Sequence, residues 1–247
     1  MKRGIVFHAG DKTIWLHESL FTTFVIVATL AILSLYIHSK IKKADPREKP
    51  TGFLHIVEIL VEAVNNLTVQ TMGEHNKGFA PYMLSLGAFL ACANLSGLLG
   101  FVPPTSDYNV TLALALITFA MIHFFSVKTK GIGGYLKQYT EPIAILTPIN
   151  ILGELANPVS LSFRLFGNIL SGMLIMSLVY QGLGLISKFI IPLVAWPLHG
   201  YFDVFSGMLQ TFIFLMLSMT YINSDMASPE EIAERKAKSS RNYRLSI

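Results

Sequence analysis

One apolar stretch of the sequence carries a single charged residue, Arg164. No other side chain from Pro158 to Gln181 is charged. An arginine at the centre of a membrane helix costs about 2.5–3.5 kcal/mol, so it is retained only where protein or water provides a partner. Its neighbours on a helix lie three and four residues away and include no carboxylate. They are Ser160, Leu161, Gly167 and Asn168. The sequence therefore predicts a counter-charge on another helix or another chain.

The composition is that of a multi-pass helical membrane protein. Hydrophobic residues make up 52% of the chain, charged residues only 14%, and the mean hydropathy is +0.53. The net charge of +4 comes mostly from basic residues in loops beside apolar stretches. Basic residues at such positions set the orientation of a membrane protein, so they do not indicate nucleic-acid binding. Cys92 is the single cysteine, so we expect no disulfide, no metal centre and no cofactor. The expected fold is all-α, with about five membrane-embedded helices, one interfacial amphipathic helix and a long tilted C-terminal hairpin.

The first two hydrophobic segments differ in kind. Ser19–His38 has no formal charge and is long enough to span a bilayer. Five basic residues follow within 39–50, which predicts a cytoplasmic loop and an N-terminus outside. Thr51–Met72 alternates an apolar and a polar face, so we expect it to lie along the interface or against a polar groove. Its polar face consists of His55, Glu58, Glu62, Asn65 and Asn66.

Two further spans are predicted before the long hairpin. Pro81–Val102 returns to the outside, where residues 103–109 contain turn-forming residues and no lysine or arginine. Val110–Val127 crosses back to the cytoplasm. Residues 128–142 contain three lysines and three glycines, and we expect a flexible cytoplasmic loop there.

The last two apolar stretches, Thr147–Tyr180 and Leu185–Asn223, are too long to stand upright in a bilayer. Thirty-four helical residues measure about 51 Å, against a hydrocarbon core of roughly 30 Å. Either the helices tilt strongly or prolines break them at Pro158, Pro192 and Pro197. We expect a tilted hairpin joined by Gln181–Gly184.

We expect a single membrane domain over residues 1–247. An outer N-terminal segment (1–18) precedes the first spans and the amphipathic helix (19–143). The ion-path hairpin follows at 144–225, and a cytoplasmic tail at 226–247.

Polar residues recur every three or four positions on both long helices. The first set is Glu154, Asn157, Arg164, Asn168 and Ser171, with the apolar Leu161 at one position of the same stripe, and the second is His199, Asp203, Ser206 and Gln210. Single serines and threonines in membrane helices commonly only join helices by hydrogen bonds. Ionised groups at this depth mark ion routes, so Glu154, Asp203 and Arg164 together indicate an ion path.

These residues resemble a known family. The segment 160–168 (SLSFRLFGN), preceded by Asn157 and followed by Gln210 in MLQTFIFLML, is similar to the a subunit of the membrane sector of F-type ATP synthases. The resemblance implies that Arg164 is the essential arginine, that Asn168 lies one turn later, and that Gln210 faces the arginine. Two positions depart from the family pattern, because Met173 replaces a glutamate and Asp203 replaces a histidine of many relatives.

The function implied is that of a stator subunit. Two half-channels would carry H⁺ or Na⁺ to and from carboxylates of a c-subunit ring, with Arg164 separating them. Glu154 is assigned to the cytoplasmic route and Asp203 to the outer route, with His199 and Asn157 as further ion-path residues. The implied partners are the c ring, b-type peripheral stalk subunits, the F1 sector and the lipid bilayer. The implied location is a bacterial plasma membrane or an energy-transducing organelle membrane.

Two other functions are consistent with parts of the pattern. A secondary transporter or channel would bind an anion at Arg164, but no internal repeat is found. A purely structural subunit would neutralise Arg164 with Asp203. The chain has no phosphate-binding loop, so nucleotide chemistry is expected in partner subunits and not here. Copurification with a c ring and a soluble ATPase would distinguish the three functions.

Overall fold

A computed structural model describes residues 4–9, 12–45, 51–140, 143–186, 190–227 and 230. Seven α-helices make up most of this part of the chain. They are α1 (Glu18–Lys43), α2 (Phe53–Met72), α3 (Ala80–Leu95), α4 (Tyr108–Thr140), α5 (Thr147–Ile186), α6 (Ile191–His199) and α7 (Gly207–Asp225). A seven-residue π-helix, Gly200–Ser206, joins α6 to α7. The chain is therefore an all-α polytopic membrane protein, as predicted.

Five helical segments of the described chain are long and apolar enough to cross a membrane. They are Glu18–Lys43, Glu74–Leu99, Tyr108–Thr140, Ala144–Leu185 and Ile191–Asp225. Helix α2 is not among them, and four of the five residues on its predicted polar face line a groove of about 820 Å³ beside the end of α1. These four are Glu58, Glu62, Asn65 and Asn66. The number of spans and the separate character of α2 are confirmed.

Three local expectations were wrong or incomplete. An antiparallel hairpin of β1 (Gly4–Ala9) and β2 (Lys12–His17) precedes α1, where only an outer segment was expected. Residues 128–140 are helical, because α4 continues past a break at Gly131, whose φ of 72° suits glycine. Gln181–Gly184 is not the hairpin turn, since α5 runs through it to Ile186. The tail predicted from Ser228 lies outside the described residues, except for residue 230.

Helix α5 passes through Pro158 without interruption and has 40 residues, which corresponds to about 60 Å. Pro158 therefore does not break α5, and a helix twice as long as the hydrocarbon core is thick must either tilt in the bilayer or protrude from it. Pro197 likewise lies within α6, not at a helix end.

The core of the bundle lies between α3, α5 and α7. Met83 and Leu90 of α3, Leu165 of α5, and Phe214 and Met219 of α7 are almost completely buried there. This core holds α7 against α3 and α5, and so places the polar residues of the last two spans beside each other.

The two ends of the bundle are distinguishable. At one end, here named the loop end, Ser19 at the start of α1 donates a hydrogen bond of 2.9 Å to Asp107 in the loop before α4. At the other, named the lysine end, the amide of Ala227 donates to Thr129 beside Lys128 and Lys130 of α4.

Candidate functional site: an unpaired arginine between two polar clusters

Arg164 lies close to the middle of the 42-residue apolar helical segment Ala144–Leu185. Its side chain is exposed, and it makes no hydrogen bond or ion pair with any residue that the structure describes. Within the described part of the chain, no carboxylate is paired with Arg164. A permanently charged guanidinium at membrane depth needs a partner, so this geometry requires another chain or water.

The surface around Arg164 is apolar. Helix α5 exposes Val159, Phe163, Leu174 and Leu178. The π-helix and the start of α7 also expose large apolar side chains, namely Val204, Phe205, Met208, Leu209 and Phe212. An exposed apolar surface containing one unpaired cation fits either lipid or an apolar partner that brings its own anion.

At the loop end, Asp203, His199 and Tyr180 form a hydrogen-bonded chain. His199 Nδ1 lies 2.5 Å from Asp203 Oδ2, and His199 Nε2 lies 2.8 Å from the Tyr180 hydroxyl. Asp203 also approaches the backbone of Gly97, where a Cβ atom would lie 3.7 Å from Oδ2. Asp203 is paired with His199 and not with Arg164, which removes the support for a structural subunit neutralised by these two residues.

Asn168 links the two long helices close to Arg164. Its side-chain oxygen accepts a hydrogen bond of 2.8 Å from Ser206 of the π-helix. One turn farther along α5, Gly172 contacts the ring of Phe202, where a Cβ would lie only 3.4 Å away. Helix α5 and the π-helix thus pack directly against each other next to the bond between Asn168 and Ser206.

At the lysine end, Glu154 belongs to a second polar cluster. Glu154 Oε1 is buried and lies 3.2 Å from His123 Nδ1 of α4. The Tyr135 hydroxyl lies 3.2 Å from the same nitrogen and 2.7 Å from the Tyr139 hydroxyl. These four side chains line a cavity of about 530 Å³ between α4 and α5. A buried carboxylate, an imidazole and two phenols beside a cavity provide groups that accept and release protons.

The two clusters lie on opposite sides of Arg164 along α5. Glu154 precedes Arg164 by ten residues, or about 15 Å of helix, whereas Tyr180 follows it by sixteen residues, or about 24 Å. The structure thus separates two polar regions by the segment that carries the unpaired arginine.

Two predicted site residues, Gln210 and Asn157, make no hydrogen bond with Arg164 in the described chain. Gln210 is only 6% exposed, its Nε2 atom has no hydrogen-bond partner among the described residues, and no hydrogen bond joins it to Arg164. Asn157 is half-buried and makes no hydrogen bond with the described chain. Their roles in the ion path stay predictions.

Sequence reasoning missed His123, Tyr135, Tyr139 and Tyr180. Tyr180 had no such signal, because it follows Asn168 by twelve residues and so lies about 120° around the helix from it. The pairing of Tyr135 and Tyr139 at i and i+4 was a signal, but it was hidden in a segment interpreted as a loop.

Comparison with known proteins decides the family. The sequence profile described as ATP synthase A chain matches residues 20–223. The chain belongs to the ATP synthase A chain family. It is 35% identical over 209 residues to ATP synthase subunit a 3 of Pelobacter propionicus, covering 83% of this chain and 85% of the relative. It is 35% identical over 225 residues to ATP synthase subunit a 2 of Bradyrhizobium sp., covering 91% and 94% of the two chains. ATP synthase subunit a of Streptococcus agalactiae is 34% identical over 197 residues, covering 74% and 81%.

Membership in the ATP synthase A chain family confirms the resemblance noted from Arg164 and its neighbours. The chain is a multi-pass membrane protein and the stator subunit of an ATP synthase, within a complex of several subunits. A secondary transporter is accordingly not favoured.

Proposed function

We propose that this subunit carries ions through two half-channels to a c-subunit ring, with Arg164 as the fixed cation between them. The observation that carries this proposal is the unpaired, exposed arginine at mid-span on an apolar surface. That surface suits an apolar ring of helices, each of which presents one carboxylate.

The chemistry needs a permanent cation. A carboxylic acid in apolar surroundings stays protonated, which lets it travel past lipid in neutral form. A unit positive charge about 4 Å away, at an effective dielectric constant near 20, contributes on the order of 4 kcal/mol toward ionising it. Arg164 would discharge each carboxylate in turn, and because arginine does not lose its proton it would also block a direct leak between the half-channels.

The two polar clusters supply the half-channels in this proposal. Glu154, with His123 at the lysine end, forms the cytoplasmic route, and Asp203, with His199 at the loop end, forms the outer route. Asn168 lies between Arg164 and the outer cluster, while Asn157 and Gln210 flank the arginine along the two helices.

The positions of the lysines support the assignment of the lysine end to the cytoplasmic side, because basic residues favour that side of a membrane. Lys40, Lys42 and Lys43 end α1, and Lys128 and Lys130 lie in α4 near the opposite end from Asp107. The N-terminus is then outside and the C-terminus cytoplasmic. The relatives named above come from bacteria, which supports a bacterial plasma membrane, with the c ring, b-type stalk subunits and the F1 sector as partners.

The test is ATP-driven ion pumping in inverted membrane vesicles at matched subunit levels. Arg164→Gln should abolish pumping while the subunit still inserts, because only the fixed cation discharges the passing carboxylate. Lys40→Gln removes one positive charge from the exposed end of α1 and serves as the matched control, with pumping near the wild-type rate. Wild-type pumping by Arg164→Gln would refute the proposal.

A further inference from the structure

We propose that the cavity of about 530 Å³ between α4 and α5 binds a lipophilic organic ammonium ion, with Glu154 as the anion that holds it. The inference goes beyond the proposed function, because this binding is independent of ion transport. The ligand class is a primary amine with an apolar body. It has two sources, the headgroup of an aminophospholipid and a free amphiphilic amine, which share an ammonium group beside an apolar chain.

The break in α4 at Gly131 builds the cavity. On a straight helix, His123 and Tyr135 would lie about 18 Å apart. The Tyr135 hydroxyl instead lies 3.2 Å from His123 Nδ1, so the end of α4 folds back beside the earlier part of the same helix. Asn150 of α5 donates a hydrogen bond of 2.9 Å to the Tyr139 carbonyl and so holds the folded-back end against α5. The walls of the cavity are therefore fixed by the chain itself.

The carboxylate of Glu154 provides a negative charge in the cavity wall. Its side chain is only 12% exposed. Atom Oε1 is buried and has no hydrogen-bond partner among the described residues, because its contact of 3.2 Å with His123 Nδ1 lacks the geometry of a hydrogen bond. A neutral imidazole also leaves the charge of the carboxylate without a counter-ion. A buried acceptor of this kind favours a ligand that brings both an N–H group and a positive charge.

Four aromatic rings form a continuous wall beside the carboxylate. The ring centroids of Phe119 and His123 lie 4.0 Å apart, those of His123 and Tyr135 5.9 Å, and those of Tyr135 and Tyr139 5.2 Å. All four rings line the cavity. Aromatic faces attract organic cations, so this wall favours an ammonium ion. A metal ion is not favoured, since no group of three or more histidine, cysteine, aspartate or glutamate side chains in the described chain is arranged to hold one.

The rest of the lining calls for an apolar body on the ligand. Leu136, Ile151 and Leu155 line the cavity and are 60%, 43% and 50% exposed. A small inorganic cation would leave these side chains uncovered, whereas the apolar chain of an amphiphilic amine covers them. The volume of about 530 Å³ is within the range of sites for drug-sized ligands.

The first experiment measures the binding of dansylcadaverine, a fluorescent primary amine, by fluorescence anisotropy. The purified whole complex is held in nanodiscs of phosphatidylcholine, whose headgroup has no N–H group, and empty nanodiscs provide the background. The matched probe is N-pentyl dansylamide, which has the same body without the amine, and it should bind the wild-type complex at least tenfold more weakly. Glu154→Gln should weaken binding of the amine roughly tenfold or more, because the amide keeps the shape and removes the charge. Equal affinity of the wild-type complex for the two probes would overturn the inference.

The second experiment locates the bound probe with a pair of tryptophan variants. Ile151→Trp should fill part of the cavity and weaken dansylcadaverine binding at least tenfold. Ile149→Trp is the matched control and should bind like the wild type, because Ile149 lies in the same helix, is exposed, and does not line the cavity. Equal affinities of the two assembled complexes would overturn the assignment to this cavity.

The two sources of the ammonium group are distinguished by adding phosphatidylethanolamine to the nanodiscs. Competition with dansylcadaverine would assign the cavity to a lipid headgroup, and undiminished binding would assign it to a free amine. Failure of the proposed function would appear separately, as pumping by Arg164→Gln, and would leave this binding unchanged.

Discussion

Asn94 of α3 is expected to determine the position of the segment that carries Asp203 and Gln210. Its side chain is 1% exposed and makes three hydrogen bonds. The amide nitrogen donates to the Gly207 carbonyl at 3.0 Å and to the Thr211 hydroxyl at 3.1 Å, and the amide oxygen accepts from Thr105 at 2.9 Å. Asn94 thereby joins α3, the loop before α4 and the start of α7, immediately after the π-helix.

The cost of Asn94→Ala follows from these bonds. Neutral side-chain hydrogen bonds in membrane proteins contribute about 0.6 kcal/mol each on average, which amounts to roughly 2 kcal/mol for three. The Thr211 hydroxyl keeps the Gly207 carbonyl as an acceptor at 3.0 Å, but the Thr105 hydroxyl is completely buried and loses the one acceptor that the described chain gives it. An orphaned buried hydroxyl costs a further 1–3 kcal/mol or so. We expect a total of about 3–5 kcal/mol.

The assay heats the detergent-solubilised complex and measures on native gels the temperature at which this subunit is lost. Asn94→Ala should lower that temperature and also slow ion pumping. Ser85→Ala is the matched control, because it lies in the same helix, is exposed, and loses a single bond to the Pro81 carbonyl.

The double variant Asn94→Leu/Thr105→Val tests the reasoning more sharply. Replacing both partners of a buried hydrogen bond by apolar groups is far less costly than removing one of them. The double variant should therefore be more stable than Asn94→Leu alone. The reasoning is refuted if Asn94→Ala is as stable as the Ser85→Ala control, or if adding Thr105→Val lowers stability further.

Three further outcomes are expected. Gln210→Glu should reduce ATP-driven pumping roughly tenfold or more below Gln210→Leu, since it places a carboxylate in a buried site that would compete with the c ring for Arg164; a fully active Gln210→Glu enzyme would contradict this. The Gly97→Ala variant should pump normally, because its Cβ would lie 3.7 Å from Asp203 Oδ2, an ordinary contact distance. The added methyl groups of Gly97→Val should displace the carboxylate and slow pumping severalfold. Equal pumping rates in the two variants would show that Asp203 does not need to lie over Gly97. In a chain whose native Cys92 has been replaced, the single variants Glu154→Cys and Asp203→Cys should react with membrane-impermeant thiol reagents added from opposite sides of the membrane. Labelling of both positions from the same side would contradict the two-route proposal.

The sequence alone determined the number of spans and showed that the charged Arg164 lies inside one of them. Both depend on local composition: a run of about twenty apolar residues spans a bilayer by its length, and a charged residue within such a run is costly wherever the helix packs. The residues 160–168 also carried enough of the motif to indicate the family, which the comparisons confirmed.

Only the tertiary structure decided how the polar residues pair. Asp203 could have neutralised Arg164, but the packing of α6 against α5 places His199 between Asp203 and Tyr180. Glu154 was assigned to a route from its position, yet its contact with His123 depends on α4 lying beside α5. Which polar groups meet across helices is set by packing distances, since residues far apart in sequence have no local signal for one another.

The connections also depended on tertiary structure. Glycine and lysine content suggested a loop at 128–142 and a turn at Gln181–Gly184, because these residues are common outside helices. Helix α5 continues through Gln181–Gly184 nonetheless, whereas α4 breaks at Gly131 and is helical on both sides of the break. An intrinsic preference of about 1 kcal/mol per glycine does not stop a helix that is already formed, because each residue added to it gains a backbone hydrogen bond.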